Sequence, residues 1–190
     1  MSIDLEVLVE KLVILVREGG AVAMRHHGRL GDVRAKADSS PLTDADLEVD
    51  ALLCEGLALA YPDIPIVTEE RLETQAGGAP ASRFFLVDPI DGTREFVAER
   101  GEFTINIGLI ENGVPVAGAV HAPAVGRLFA GSTGSGAFEE RGGSRVRLRP
   151  GKPDNDSLVV VATRSHPTPE TDAFLKANRV GRLTNAGSSL

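Results

Sequence analysis

Four apolar residues, Phe84-Phe85-Leu86-Val87, run straight into Asp88-Pro89-Ile90-Asp91-Gly92-Thr93. That junction leaves the chain little conformational choice. The apolar run reads as a short buried strand. Pro89 brings no N–H to a ladder and holds φ near about −65°, so a turn is expected directly after Asp88. The turn carries Asp91 back toward Asp88, Gly92 lets backbone approach a ligand closely, and Thr93 adds a hydroxyl. Two carboxylates held together repel unless a proton or a cation lies between them. Mg²⁺ is the kind of hard cation such oxygens hold, with substrate phosphate completing its shell. A plain acidic turn uses the same residue types, so the rest of the chain has to separate the two readings.

A second strand signal, Ile64-Pro65-Ile66-Val67-Thr68, also ends in acids, Glu69-Glu70. If the two strands are neighbours, Glu69, Asp88 and Asp91 come to one sheet edge, where α/β sites usually lie. Upstream, Thr43 and Asp46 have capping-box spacing at the start of a helix that Tyr61-Pro62 closes. Its expected core face is Leu47, Leu52, Leu53, Leu57 and Ala60. Capping alone accounts for Asp46, unless the fold also turns it toward the two aspartates.

Residues 3–26 read as a first helix, with Leu5, Leu8, Val9, Leu12, Val16 and Val22 at helical spacing. Gly19-Gly20 is expected to bend or weaken it. His26 and His27 read as solvated cations at its C-terminal end. Residues 28–40 and 73–82 read as loops, and Arg94 to Gly101 as a charged connector. Asn112-Gly113 joins strands Phe103–Ile110 and Val114–Val120 as a hairpin. Arg127–Gly131, Ala137–Glu140 and Arg145–Arg149 continue an antiparallel meander. A polar linker, Pro150–Asp156, sets the expected domain division: a metal- and phosphate-binding α+β domain over 1–152, and the start of a C-terminal α/β unit over 153–190. That unit opens with the strand Leu158–Ala162 and a helix capped by Thr168-Pro169.

With 20 basic and 27 acidic residues the net charge is −7, which argues against nucleic acid or an anionic membrane surface as partner. The single cysteine, Cys54, fits a reducing, cytoplasmic setting and a core position. Acids at Asp4 and Glu6 speak against a signal peptide, and Val7–Val16 is too short to span a bilayer.

Lys36-Ala37-Asp38-Ser39-Ser40-Pro41-Leu42-Thr43-Asp44-Ala45-Asp46, Thr68-Glu69-Glu70 and Asp88-Pro89-Ile90-Asp91-Gly92-Thr93 resemble, in order and spacing, the inositol monophosphatase superfamily. Arg94-Glu95-Phe96, Gly101-Glu102-Phe103-Thr104-Ile105-Asn106-Ile107, Thr163-Arg164-Ser165-His166 and Gly187-Ser188-Ser189-Leu190 look like its 3'(2'),5'-bisphosphate nucleotidase branch. The resemblance implies an α/β sugar-phosphatase fold, with N-terminal helices on a largely antiparallel sheet. It also implies a Mg²⁺-dependent, lithium-sensitive phosphatase. Position by position it makes Glu69, Asp88, the Ile90 carbonyl and Asp91 metal ligands. Asp46 and Thr93 become the groups that position and deprotonate the attacking water. Gly92, Thr93 and Ser188 become phosphate or substrate contacts. The expected substrate is 3'(2'),5'-bisphosphorylated adenosine, hydrolysed at its 3'-phosphate.

Family members continue beyond the Gly-Ser-Ser segment and supply a further aspartate from a Trp-Asp motif. This chain has no Trp, and no matching Asp follows Asp172. The sequence is therefore expected to lack the family's C-terminal part, and Leu158–Ala162 to expose apolar surface that favours a homodimer. A haloacid-dehalogenase-type site is rejected, because its paired acids are two apart and these are three apart. Inositol monophosphatase or fructose-1,6-bisphosphatase activity stays open, as does a catalytically dead interaction module.

Overall fold

Asp4 accepts hydrogen bonds from the N–H groups of Glu6 and Val7 and so starts α1 (Leu5–His26), which runs unbroken to Arg25 and His26 at its negative end. Gly19 and Gly20 do not interrupt it. Each is buried where a side chain cannot fit: a Cβ on Gly19 would press on Val49, Leu53 and Ile105, and one on Gly20 would overlap the His121 ring. The two glycines let the helix lie close to its neighbours. A computed structural model of the chain describes residues 3–29, 34–35, 41–71, 81–152, 154–164 and 167–187.

A two-residue antiparallel pair, β1 (Arg34–Ala35) with β2 (Pro41–Leu42), precedes α2 (Asp44–Ala60). The loop expected from 28–40 lies largely outside the described residues. The capping box at Thr43 is formed as the sequence predicts. The buried face of α2 is rotated from expectation, to Ala45, Asp46, Val49, Asp50, Leu53, Cys54 and Leu57, while Leu47 is exposed. Two acids on that face are the finding that matters for the site.

Seven strands form one sheet: β3 (Ile66–Thr68), β4 (Arg83–Asp91), β5 (Thr104–Glu111), β6 (Val114–Ala122), β7 (Arg127–Ser132), β8 (Gly136–Arg141) and β9 (Ser144–Arg147), in that spatial order. Within this sheet, among the described residues, only β3 and β4 run parallel. The others form the predicted meander. Asn112 (φ 51°) and Gly113 (φ 78°) make the hairpin between β5 and β6, since left-handed geometry at both positions matches the twist of the flanking strands. Side chains alternate across the sheet. Phe85, Val87, Ile105, Ile107, Leu109, Ala117, Ala119, Leu128 and Ala130 belong to the one buried core that α1 and α2 cover.

Two expectations are corrected here. The chain does not turn directly after Asp88. Strand β4 reaches Asp91, and its ladder with β5 shifts register between Asp88↔Asn106 and Asp91↔Thr104. Pro89 thus makes a bulge, because only the local ladder bonds are lost and pairing resumes beyond it. Arg94–Gly101 is not simply a charged connector either. A short helix, α3 (Thr93–Val97), starts there and buries Glu95 and Phe96.

Beyond the sheet, β10 (Leu158–Thr163), α4 (Pro169–Ala177) and β11 (Val180–Ala186) form a βαβ unit whose two strands pair in parallel. Thr168 and Pro169 start α4 as expected. Val159, Val161, Phe174 and Leu183 are exposed, in agreement with the expected apolar surface. Among the described residues no helix is long and apolar enough to cross a membrane.

Candidate active site

The parallel pairing of β3 with β4 sets Thr68 opposite Val87. Glu69 and Asp88, each the next residue along, therefore leave neighbouring strands side by side. Glu69 begins a single 3-10 turn, Glu69–Arg71, and is exposed. Asp88 is half-buried and points, by alternation, to the sheet face opposite the helices. Asn106 is its partner across the ladder. Asp88, Asp91 and Asn106 help line an open trough of about 1330 Å³ along that face, together with Gly108, Gly118 and Phe129.

The bulge does what the expected turn would have done. It carries the chain over buried Pro89 and Ile90 to Asp91, and Gly92 then adopts φ 89° to enter α3. A left-handed residue is needed there, and glycine takes that conformation without strain. The Thr93 hydroxyl donates to the Ile90 carbonyl at 3.0 Å and lies 3.4 Å from Asp46 Oδ1. Asp46 is fully buried. Its other oxygen, Oδ2, accepts from the Thr43 N–H at 2.7 Å and the Thr43 hydroxyl at 2.5 Å. The capping box and a catalytic role are thus not alternatives: one carboxylate oxygen caps α2 and the other faces Thr93.

The structure therefore brings Asp46, Ile90 and Thr93 into one contacting group, and sets Glu69, Asp88 and Asp91 along the adjoining edge. Among the described residues no group of three or more His, Cys, Asp or Glu side chains is gathered closely enough to hold a metal ion. The donor set is nonetheless all hard oxygen, three carboxylates and a main-chain carbonyl, and suits Mg²⁺ chemistry. Ser188, Ser165, His166 and the Lys36–Ser40 segment lie outside the described residues.

Several residues around the site carry roles that sequence reasoning missed. Asp50, one helical turn after Asp46, accepts from the Thr68 hydroxyl at 2.5 Å and from Arg71 Nη2 at 2.5 Å. Its signal was a second acid at i+4 on an apolar helix face. Burial, and then the nearby Asp50 charge, push the Cys54 thiol up to about 12, so the cysteine is an inert core residue, as expected. His27 is corrected. It stacks on Phe103 with ring centroids 5.4 Å apart and tilts against Phe96 at 5.5 Å, while His26 binds Glu48 at 2.7 Å. Glu102 takes a bidentate pair from Arg164 and accepts from the Gly187 N–H at 2.8 Å. It thereby ties the ends of β10 and β11 to the start of β5.

The chain belongs to the inositol monophosphatase family, which it matches over residues 4–189. The family consists of phosphatases, generally metal-dependent, and this chain is one of these phosphoric monoester hydrolases. It is 34% identical to the 3'(2'),5'-bisphosphate nucleotidase CysQ of Escherichia coli (strain K12) over 186 residues, 96% of this chain and 74% of that protein. The fold is similar to that of the IMPase from Thermotoga maritima (TM-score 0.75, 29% identity, 93% of this chain and 67% of that one). It is also similar to CysQ from Bacteroides thetaiotaomicron (TM-score 0.69, 26% identity, 95% and 72%).

Proposed function

We propose that the chain is a Mg²⁺-dependent 3'(2'),5'-bisphosphate nucleotidase, removing the 3'-phosphate of bisphosphorylated adenosine to leave AMP and inorganic phosphate. The observation that carries the hydrolytic part is the Thr93 hydroxyl held between the Ile90 carbonyl and buried Asp46. A water at that hydroxyl would have in Asp46 Oδ1 an acceptor for its proton, and capping fixes which way that oxygen faces. Glu69, Asp88, Asp91 and the Ile90 carbonyl would hold Mg²⁺, and Gly92 and Thr93 N–H groups the phosphate. Bound there, the cation supplies an acidified water and neutralises phosphate charge. The protein's part is otherwise positioning and electrostatics, which phosphoryl transfer chiefly requires.

The choice of substrate is supported by the likeness to CysQ proteins. Inositol monophosphate is the second reading, favoured by the close structural match to the Thermotoga IMPase. The division into 1–152 and 153–190 belongs to the same proposal, with Glu102 and Gly187 meeting at the seam.

Phosphate release from bisphosphorylated adenosine and from inositol monophosphate, each with Mg²⁺ and with chelator, tests the proposal. Mg²⁺-dependent release from the nucleotide, exceeding that from inositol phosphate, is the expected result. Release from neither substrate overturns the proposed activity. Asp88→Asn should abolish activity and weaken Mg²⁺ binding with the fold intact. In metal-free buffer it should raise thermal stability, because it relieves repulsion among the acids. Equal Mg²⁺ affinity of the two proteins by calorimetry would remove Asp88 from the site.

A further inference from the structure

Helix α2 sends two buried acids toward the site, and the proposed chemistry uses only one. Asp50 is 3% exposed. Oδ1 accepts from the Thr68 hydroxyl, with Cys54 Sγ at 3.5 Å, and Oδ2 accepts from Arg71. Thr68, itself 1% exposed, immediately precedes Glu69, and Arg71 closes the 3-10 turn that Glu69 opens. The two donors therefore bracket Glu69-Glu70, and both are tied to one carboxylate on a rigid helix.

Stability alone does not call for an acid here. Capping of α2 is done by Thr43 with Asp46, and the pair with Arg71, whose side chain is half exposed, adds little stability beyond what an apolar residue in place of Asp50 could supply. An acid with two oxygens does what an apolar side chain cannot: it fixes the entry and the exit of a three-residue turn at once. Outer partners of this kind orient the groups that bind a metal, and their loss weakens it.

We propose that Asp50 is a positioning residue for Glu69, holding the Glu69–Arg71 turn in place before a divalent cation binds. The inference rests on the reading of Glu69 as a ligand. Asp46 and Asp50 then divide the work of α2, one orienting Thr93 on the hydrolytic side and the other orienting Glu69 on the cation side. Without Asp50 the turn has to be ordered by the cation itself, and that ordering is subtracted from affinity.

Calorimetric titration of Mg²⁺ into the full chain tests this, with circular dichroism as a check on folding. Asp50→Asn and Thr68→Val should each weaken Mg²⁺ by about tenfold or more. Thr68→Ser, which keeps the hydroxyl, should restore binding, and Arg71→Gln should fall between. If Asp50→Asn fails to fold, the Thr68→Val and Thr68→Ser pair decides the matter. Folded variants that all bind Mg²⁺ within about twofold of the unaltered chain, while Glu69→Gln weakens it, overturn the positioning role alone. An unchanged affinity in Glu69→Gln overturns the ligand reading, and the inference falls with it.

Discussion

The seven-stranded sheet and the β10–α4–β11 unit are both built from apolar strands and capped helices, yet they end in opposite states. Under α1 and α2, strands β4 to β7 bury almost every second side chain in one continuous core. In the βαβ unit α4 buries no residue at all, and Val159 is 64% exposed. Local sequence does not separate them: Leu158–Ala162 is as apolar as Phe84–Val87. What differs is whether a second layer covers the strands. The sheet side is held by area removed from water. The smaller unit is fastened to it by polar bonds, with Glu102 gripping Arg164 and the Gly187 N–H.

The largest expected effect lies in the core. Leu53 is fully buried between the helices, so Leu53→Ala should lower the unfolding free energy by about 2–5 kcal/mol, read by urea denaturation. A cost comparable to that of an exposed position would break the contrast between the two regions.

Next comes the clamp. Glu102→Gln should reduce amide protection in β10 and β11 while leaving β4 to β7 unchanged, as hydrogen exchange would show. Acid should do the same. The Arg164 hydrogen bond holds the Glu102 carboxyl below the usual range. A group depressed in the folded state stabilises above its unfolded value, about 4.3, and loses that contribution as pH falls through the folded one. Protection of β10 and β11 should therefore fall below about pH 4.3, ahead of any loss in the sheet. Simultaneous loss would mean the two regions unfold as one.

The smallest expected effect is at the surface. Val161→Lys should change stability by less than about 0.5 kcal/mol. It should also reduce any self-association seen by light scattering, if the exposed face of β10 drives a homodimer. A monodisperse monomer before and after the change would remove that consequence.

Much of the site was legible because its signals are local. The order of the acids, the capping box at Thr43 and Asp46, and the hairpin at Asn112-Gly113 all depend on a few adjacent residues and their dihedral preferences. Pro89 marks in the sequence a place where ladder bonds are lost, though not the end of the strand. Whether a break becomes a turn or a bulge depends on the next strand, and β5 resumes pairing at Thr104.

The sequence by itself determined most of the residues that could carry chemistry, where α2 and α4 begin, and that most strands pair antiparallel. Only the tertiary structure decided that β3 lies parallel to β4, setting Glu69 beside Asp88, and that the buried face of α2 includes Asp46 and Asp50. It also decided that His27 packs on Phe103 rather than in solvent. The physical reason is the same in each case. Dihedral preferences and caps act within a turn or two of chain, whereas the side chain that meets an acid or a ring is delivered by strand order and helix rotation. Those are fixed by burying the whole core at once.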